Sequence, residues 1–290
     1  MPELPDIDVY IEKLDERIRD QTLGNIRIGN PFLVRSYDPP LEEVVGHRVA
    51  ELRRFGKRIA IKLEPDYWLV LHLMVAGRLQ WHEKAVGIRG KQQLAAFDFS
   101  TGTLLLTEAG SKKRASLFLV RGDQSLAEHD PGGIEPLQCT LEEFRHRLTA
   151  ENRTMKRALT NPRTFSGIGN AYSDEILHAA RVSPIKLTGK LDDDEIASLF
   201  AATKDVLKEA RARLRQESGD GFPKKVTAFR SEMAVHGKFG LPCPDCGAAV
   251  ARIRYKSNET NYCPGCQTGG RIFADRSLSR LLKDDWPDTL

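Results

Sequence analysis

Apolar residues recur at Ile7, Ile11, Leu14 and Ile18, a spacing that gathers them on one face of a helix. From about residue 25 to 121 the pattern shortens to strands. Ile59, Ile61 and Leu63 alternate, residues 68–73 and 94–99 are apolar runs, and 104–106 and 117–120 follow. Glu64-Pro65-Asp66 and Ser100-Thr101-Gly102 separate them as turns. Many short strands joined by short turns predict a sandwich or barrel. Asp130-Pro131-Gly132-Gly133 reads as a linker, and beyond it the period becomes helical. Thr140 and Glu143 fit a capping box ahead of Phe144 and Leu148. Residues 170–180 and 192–215 read as helices, the second with Asp192, Asp193, Asp194 and Glu195 at its positive end. Ser218-Gly219-Asp220-Gly221 closes this region as a loop.

Composition narrows the class. Of 290 residues, 40% are hydrophobic and 29% charged, as in ordinary globular proteins. No apolar run approaches the roughly 18–20 residues of a membrane span, and residues 1–20 carry acids and arginines where a secretory signal would be apolar. The expectation is a cytoplasmic, nucleoid-associated protein with no membrane partner. The net charge of +4 does not itself point to a polyanion. Its placement says more: Arg53, Arg54, Lys57, Arg58 and Lys62 form one acid-free run. Arg252, Arg254, Lys256, Arg271, Arg276, Arg280 and Lys283 stand against only Glu259 and Asp275 in another. These are either a nucleic-acid footprint or ordinary solvated faces.

The sharpest chemical signal is Cys243-x2-Cys246-x16-Cys263-x2-Cys266. Each pair can bind as a knuckle, and the two together close a tetrahedral site for one Zn2+. Four thiolates leave no open position, so the ion is structural. The rival, two disulfides, conflicts with the missing secretory pattern. The metal is expected to hold a β-hairpin over residues 250–262. The fifth cysteine, Cys139, reads as an inert residue.

The N-terminus, Met1-Pro2-Glu3-Leu4-Pro5, carries a second candidate. A small second residue favours removal of the initiator methionine, which exposes a secondary amine on Pro2. An α-amino group titrates near ~8, so a usable fraction is nucleophilic at neutral pH. The adjacent Glu3 can shuttle protons.

Met1-Pro2-Glu3-Leu4-Pro5, Arg54-Phe55-Gly56-Lys57, His72-Leu73, Gly167-Ile168-Gly169-Asn170-Ala171-Tyr172 and the terminal Cys-x2-Cys hairpin occur in this order. Together, and over essentially the full length, they resemble the formamidopyrimidine-DNA glycosylase / endonuclease VIII family of base-excision repair. The resemblance implies an α+β chain: an N-terminal catalytic β-sandwich with flanking helix (1–130), a helix-two-turns-helix DNA-binding domain (131–235) and a C-terminal zinc-finger β-hairpin (236–290). It implies that Pro2 attacks C1′ of a damaged nucleotide, forming a Schiff base that drives β- and then δ-elimination, with Glu3 as acid/base. Lys57 resembles a hairpin lysine that positions the scissile nucleotide. His72, Lys156, Gly169 and Asn170 resemble DNA contacts. Damaged DNA is the implied partner and a monomer the implied state.

The chain also departs from the family pattern. In His72-Leu73-Met74-Val75 the methionine falls one place early, and Val75 occupies the place of the residue that fills the vacated base stack. The loop that supplies an arginine and a phenylalanine is replaced by Glu108-Ala109-Gly110-Ser111-Lys112-Lys113-Arg114. Asp6 stands for a second glutamate, and His236 for a common tyrosine. Asn258, five residues before Cys263, stands where the family has a phosphate-gripping arginine. It supplies no charge, so weaker δ-elimination is expected, with Arg252, Arg254 or Lys256 as candidate substitutes. A specificity loop is expected near residues 218–227. The leading expectation is a bifunctional glycosylase and AP lyase acting on oxidised bases. The alternatives are an AP lyase with little or unusual glycosylase activity, and a non-catalytic damaged-DNA-binding protein.

Overall fold

The structure, a computed structural model, describes residues 1–224, 226–255, 258–273 and 289. Lys256, Arg276, Arg280 and Lys283 of the second basic run lie outside the described residues. The chain divides into two compact units, residues 1–131 with 210–227, and residues 132–209 with 228–290.

The first unit opens with helix α1, Leu4–Ile18. Eight strands follow: β1 (Leu23–Ile28), β2 (Val49–Phe55), β3 (Arg58–Leu63), β4 (Tyr67–His72), β5 (Gly77–His82), β6 (Gln93–Phe99), β7 (Gly102–Glu108) and β8 (Ser116–Arg121). They form two antiparallel sheets, in the orders β1-β6-β7-β5 and β2-β3-β4-β8. Alternate residues face a shared core: Ile59, Ile61, Leu69, Leu71, Leu117 and Leu119 from one sheet, Leu79, Phe97, Leu104 and Leu106 from the other. Ile7, Leu14 and Ile18 of the α1 stripe join that core together with Tyr10, and Ile11 packs half-buried against it. Residues 68–71 are apolar throughout because β4 is covered on both faces. Trp68 and Val70 point away from the core and pack with Leu126 of a short helix, α2 (Gly122–Ala127). Phe222 and Val226, from the segment expected as a specificity loop, pack into this unit's core, with the Phe222 ring 5.5 Å from that of Tyr10.

The second unit holds α3 (Leu141–Thr149), α4 (Met155–Thr160), α5 (Asn170–Ala179) and the start of α6 (Asp193–Ser218). Thr140 and Glu143 form the capping box that starts α3. Phe144 packs its ring on Phe165 and Phe200. The chain then forms the hairpin β9 (Ala251–Tyr255) and β10 (Asn258–Tyr262) and the single turn α7 (Pro264–Gln267). The expected hairpin is present at the expected place. Val235, Cys243, Val250 and Cys263 make its small core. No helix among the described residues is long and apolar enough to cross a membrane.

Candidate active site and nucleic-acid interface

The first unit builds a site around the chain start. Glu3 caps α1, and its backbone N–H donates to the Asp6 carboxylate at 2.9 Å. The Glu3 carboxylate in turn receives the Asp6 N–H, so the two acids form a reciprocal capping box. Both are buried, Glu3 at 2% exposure. Asp6 therefore holds the first helical turn, a role its short reach suits. Burial lowers the titration of the Met1 α-amino group below its usual value near 8; Glu3 and Asp6 oppose the shift, Arg78 and Lys57 add to it. Pro2, Glu3 and Lys57 thus share one electrostatic neighbourhood, and Arg78 belongs to it although the sequence did not single it out.

Lys57 is placed by its hairpin. The β2–β3 turn has two residues, with Gly56 first at φ +58, a conformation that glycine adopts without strain. Arg54 bonds Asp8 of α1 at 2.7 Å and the Gly56 carbonyl at 3.1 Å, tying the turn to the helix that carries Glu3. Arg211 reaches the other Asp8 oxygen at 3.2 Å. The first basic run is largely engaged inside the unit. Arg53 pairs with Glu51 and lies over Trp68, Lys62 lies over the same ring, and Arg58 donates to the His129 carbonyl.

His72 ends β4, opposite Arg58 and Ser116. Burial, with the charges of Arg58 and Lys57, pushes its titration down to about 4. Its Nδ1 has no partner among the described residues. At neutral pH it is an uncharged ring. The following turn holds Met74 at φ +52, a conformation strained for a side chain of this size, and leaves Val75 57% exposed. Arg78 donates to the carbonyls of Val75 and Gly77. The 109–114 loop is anchored by the buried Glu108, whose carboxylate accepts the N–H groups of Arg114 and Ala115.

The second unit gathers the other predicted residues. Gly169 caps α5 in an extended conformation, and Asn170 begins the helix. The Asn170 amide donates to the Glu259 carbonyl of β10 at 2.9 Å. Lys156, at the start of α4, donates to the Asn170 carbonyl at 2.7 Å and to Asp174 at 2.5 Å. Asp174 also meets His236 Nδ1 at 2.8 Å. Next to it, the Glu175 carboxylate accepts the N–H groups of Ala234, Val235 and His236. Sequence reasoning missed Asp174, Glu175 and His178. Their signal was three ionisable residues on a helix whose neighbours, Ala171, Tyr172, Ile176 and Leu177, are all core residues.

Cys243, Cys246, Cys263 and Cys266 converge with all sulfurs within 4.8 Å of one another, so they can hold a metal ion. Sulfurs about 3.8 Å apart are expected around a tetrahedral zinc with bonds of about 2.3 Å. The observed Cys243–Cys266 and Cys246–Cys263 separations of 3.8 and 3.3 Å fit a small tetrahedral ion. A Cβ at Gly265 would lie 3.0 Å from Cys246 Sγ, so the glycine lets the second knuckle approach the first closely. His178 Nε2 lies 3.3 Å from Cys243 Sγ, the kind of contact that steadies a metal-bound thiolate. Cys139 lies apart and buried, its thiol 3.6 Å from the Pro136 carbonyl.

Asn258 opens β10, exposed and paired with Tyr255. Arg254 pairs with Glu259 and Arg252 with Asn261. Directly paired residues share a face and successive residues alternate. Both arginines therefore lie on the face opposite Asn258, with Arg252 3.6 Å from Glu259 and over the Phe239 ring.

A sandwich with a capped, buried N-terminus, a helical unit and a four-cysteine hairpin define one class of protein, and comparison with known proteins gives the same result. Residues 1–115 match the formamidopyrimidine-DNA glycosylase N-terminal domain and residues 133–219 the formamidopyrimidine-DNA glycosylase H2TH domain. The chain belongs to the formamidopyrimidine-DNA glycosylase family. It is 39% identical over 151 residues to an uncharacterized formamidopyrimidine-DNA glycosylase-like protein of Mycobacterium tuberculosis, covering 52% of this chain and 94% of that one. It is 29% identical to the formamidopyrimidine-DNA glycosylase of Desulfitobacterium hafniense, across 92% of this chain and all of the other. The Lactococcus lactis enzyme in complex with abasic-site DNA superposes with a TM-score of 0.81 at 26% identity, covering 92% and 99% of the two chains.

Proposed function

We propose that this protein is a base-excision DNA glycosylase with AP lyase activity, acting on oxidised or ring-opened bases through the Pro2 amine. The observation that carries the reading is the chain start. A proline in second place lies beside a buried acid and in the field of Lys57 and Arg78. After Met1 is removed, the Pro2 nitrogen attacks C1′ of the damaged nucleotide, and the C1′–base bond breaks. Glu3 protonates the ring oxygen as the sugar opens to an iminium. The iminium accepts the electron pair released when the C2′ proton leaves, and the 3′ phosphate departs. Lys57 and Arg78 place positive charge near this centre, where the phosphates of the reacting strand need it. The target base must leave the duplex first, at an unstacking cost of a few kcal/mol.

In this reading Lys156, Gly169, Asn170 and Asn258 grip the DNA backbone from the second unit, with His72 a neutral contact in the first. The helix start offers backbone N–H donors to a phosphate. The four cysteines hold one structural zinc, which fixes the hairpin and takes no part in the chemistry. The boundaries 1–130, 131–235 and 236–290 are the corresponding functional division. The protein works as a monomer in the cytoplasm, on nucleoid DNA.

One feature favours a second reading, an AP lyase with weak or unusual base excision. The 109–114 loop, held by Glu108, carries lysines and an arginine but no aromatic wedge. Borohydride trapping on abasic and oxidised-guanine duplexes in parallel separates the two, with N-terminal mass confirming loss of Met1. Adducts on both are expected. An adduct on the abasic duplex alone selects the lyase, and no adduct on either rejects the Pro2 mechanism.

A further inference from the structure

One buried carboxylate, Asp174, serves two basic side chains. Its Oδ1 lies 2.5 Å from Lys156 Nζ and its Oδ2 2.8 Å from His236 Nδ1. Asp174 is wholly buried, and Lys156 and His236 are nearly so. Against a carboxylate, Nδ1 must be the donor, so the neutral ring keeps a lone pair on Nε2. Among the described residues the hydrogen bond of the ring is that of Nδ1. The cluster is held on every side. Glu175 fixes the backbone of 234–236, Asn261 accepts the Gly237 N–H, and the Phe229 ring stacks on His236. Among the described residues, Asp174 and Glu175 on α5 bond the His236 ring and backbone, Lys156 on α4 bonds Asp174, and Glu259 on β10 accepts from Asn261, which takes the Gly237 N–H. Arg230, Glu232 and Lys238 flank it along its own segment.

A buried carboxylate that loses its counter-charge is strongly destabilising. Lys156 is that counter-charge in the free protein, and a lysine so engaged is not available to a second anion. If Lys156 turns to a DNA phosphate, Asp174 keeps only a neutral imidazole N–H. A proton taken from solvent onto His236 Nε2 makes the ring an imidazolium and restores the pairing. We propose that phosphate binding by Lys156 is coupled to proton uptake at His236, with Asp174 passing from one cation to the other. The inference rests on Lys156 being a phosphate contact, as read above. Coupling is reciprocal: protonation tightens DNA binding, and DNA raises the proton affinity of the ring.

The test measures binding to a duplex carrying a tetrahydrofuran abasic analogue, from pH 5.5 to 8.5 at fixed ionic strength. The wild type and His236→Gln share every other titrating group, so their difference isolates this ring. With rising pH, wild-type affinity is expected to fall more steeply than that of His236→Gln, by up to about tenfold per pH unit, the limit for one proton. Asp174→Asn removes the need for a counter-charge and is expected to flatten the slope. Calorimetry of the wild type in two buffers of different ionisation enthalpy is expected to show proton uptake on binding, and this needs no variant. Equal pH slopes in the wild type and His236→Gln, with no proton uptake, overturn the coupling. Lys156→Met separates the two layers. Weakened binding at every pH with no slope difference rejects only the coupling, and unchanged binding rejects the phosphate contact and the coupling with it.

Discussion

At the residue scale, burial converts side chains that read as cations into something else. His72 reads from sequence as a DNA contact, and its place at the end of an apolar strand was visible. Its charge state was not, because that depends on Arg58 and Lys57 arriving from the neighbouring hairpin and on burial. The linkage has a definite sign. The unfolded ring binds a proton below about 6.5, but the folded ring does not until about 4. Between these values the unfolded state holds more protons, so stability falls as pH drops through this window and is constant above it. The full difference is of order 3 kcal/mol at 1.36 kcal/mol per pH unit. Urea unfolding of the wild type and His72→Gln between pH 4 and 7.5 is expected to show a shallower acid loss in the variant. Parallel curves would mean that the folded ring titrates normally. Lys156 shows the same limit: its position was legible in the sequence, but its partner Asp174, eighteen residues away, was not.

At the scale of elements, legibility follows coverage. Strands β3, β4, β6 and β7, which lie inside their sheets, announce themselves as apolar runs or alternations. Of the four edge strands, β1, β2 and β5 did not stand out singly; β8 did, because Leu117 and Leu119 face the core. Edges tolerate polar and charged residues, as in Leu23-Gly24-Asn25-Ile26-Arg27-Ile28, and such sequences carry little period. The β9–β10 hairpin was legible through its cysteines, but its register was not, and register decides the fate of the missing arginine. Because Arg252 and Arg254 share the face opposite Asn258, neither stands in for it. Asn258→Arg is therefore expected to add a cation that neither Arg252 nor Arg254 supplies. Strand cleavage of an abasic duplex on a gel should increase. The slope of log affinity against log salt should steepen by roughly 0.9 if one phosphate is newly neutralised. Unchanged cleavage with an unchanged salt slope would show that this position does not reach the DNA backbone.

At the scale of the molecule, the two units draw stability from different sources. The first has a two-sheet core closed by α1, to which Phe222 and Val226 also belong. The second has aromatic packing around Phe144 and a hairpin whose small core consists of Val235, Val250 and two of the metal-site cysteines. Burial of so little apolar surface cannot hold a hairpin alone, and metal binding is the usual remedy. α5 spreads the consequence: His178 meets Cys243 near its end, Asp174 and Glu175 hold the His236 segment in its middle, and Asn170 bonds β10 at its start. Removing the metal is thus expected to loosen residues 251–262 and the proposed phosphate contacts together, while the sandwich keeps its own core. Hydrogen exchange with and without a chelator reads this directly. Amide protection should fall across β9 and β10 and persist in β3, β4, β6 and β7, and affinity for abasic DNA should fall in parallel. Loss of protection in both units at the same chelator concentration would show that the molecule unfolds as one cooperative body. Retained protection in the hairpin would show that the four cysteines contribute nothing to its fold, and that the zinc assignment has no structural meaning.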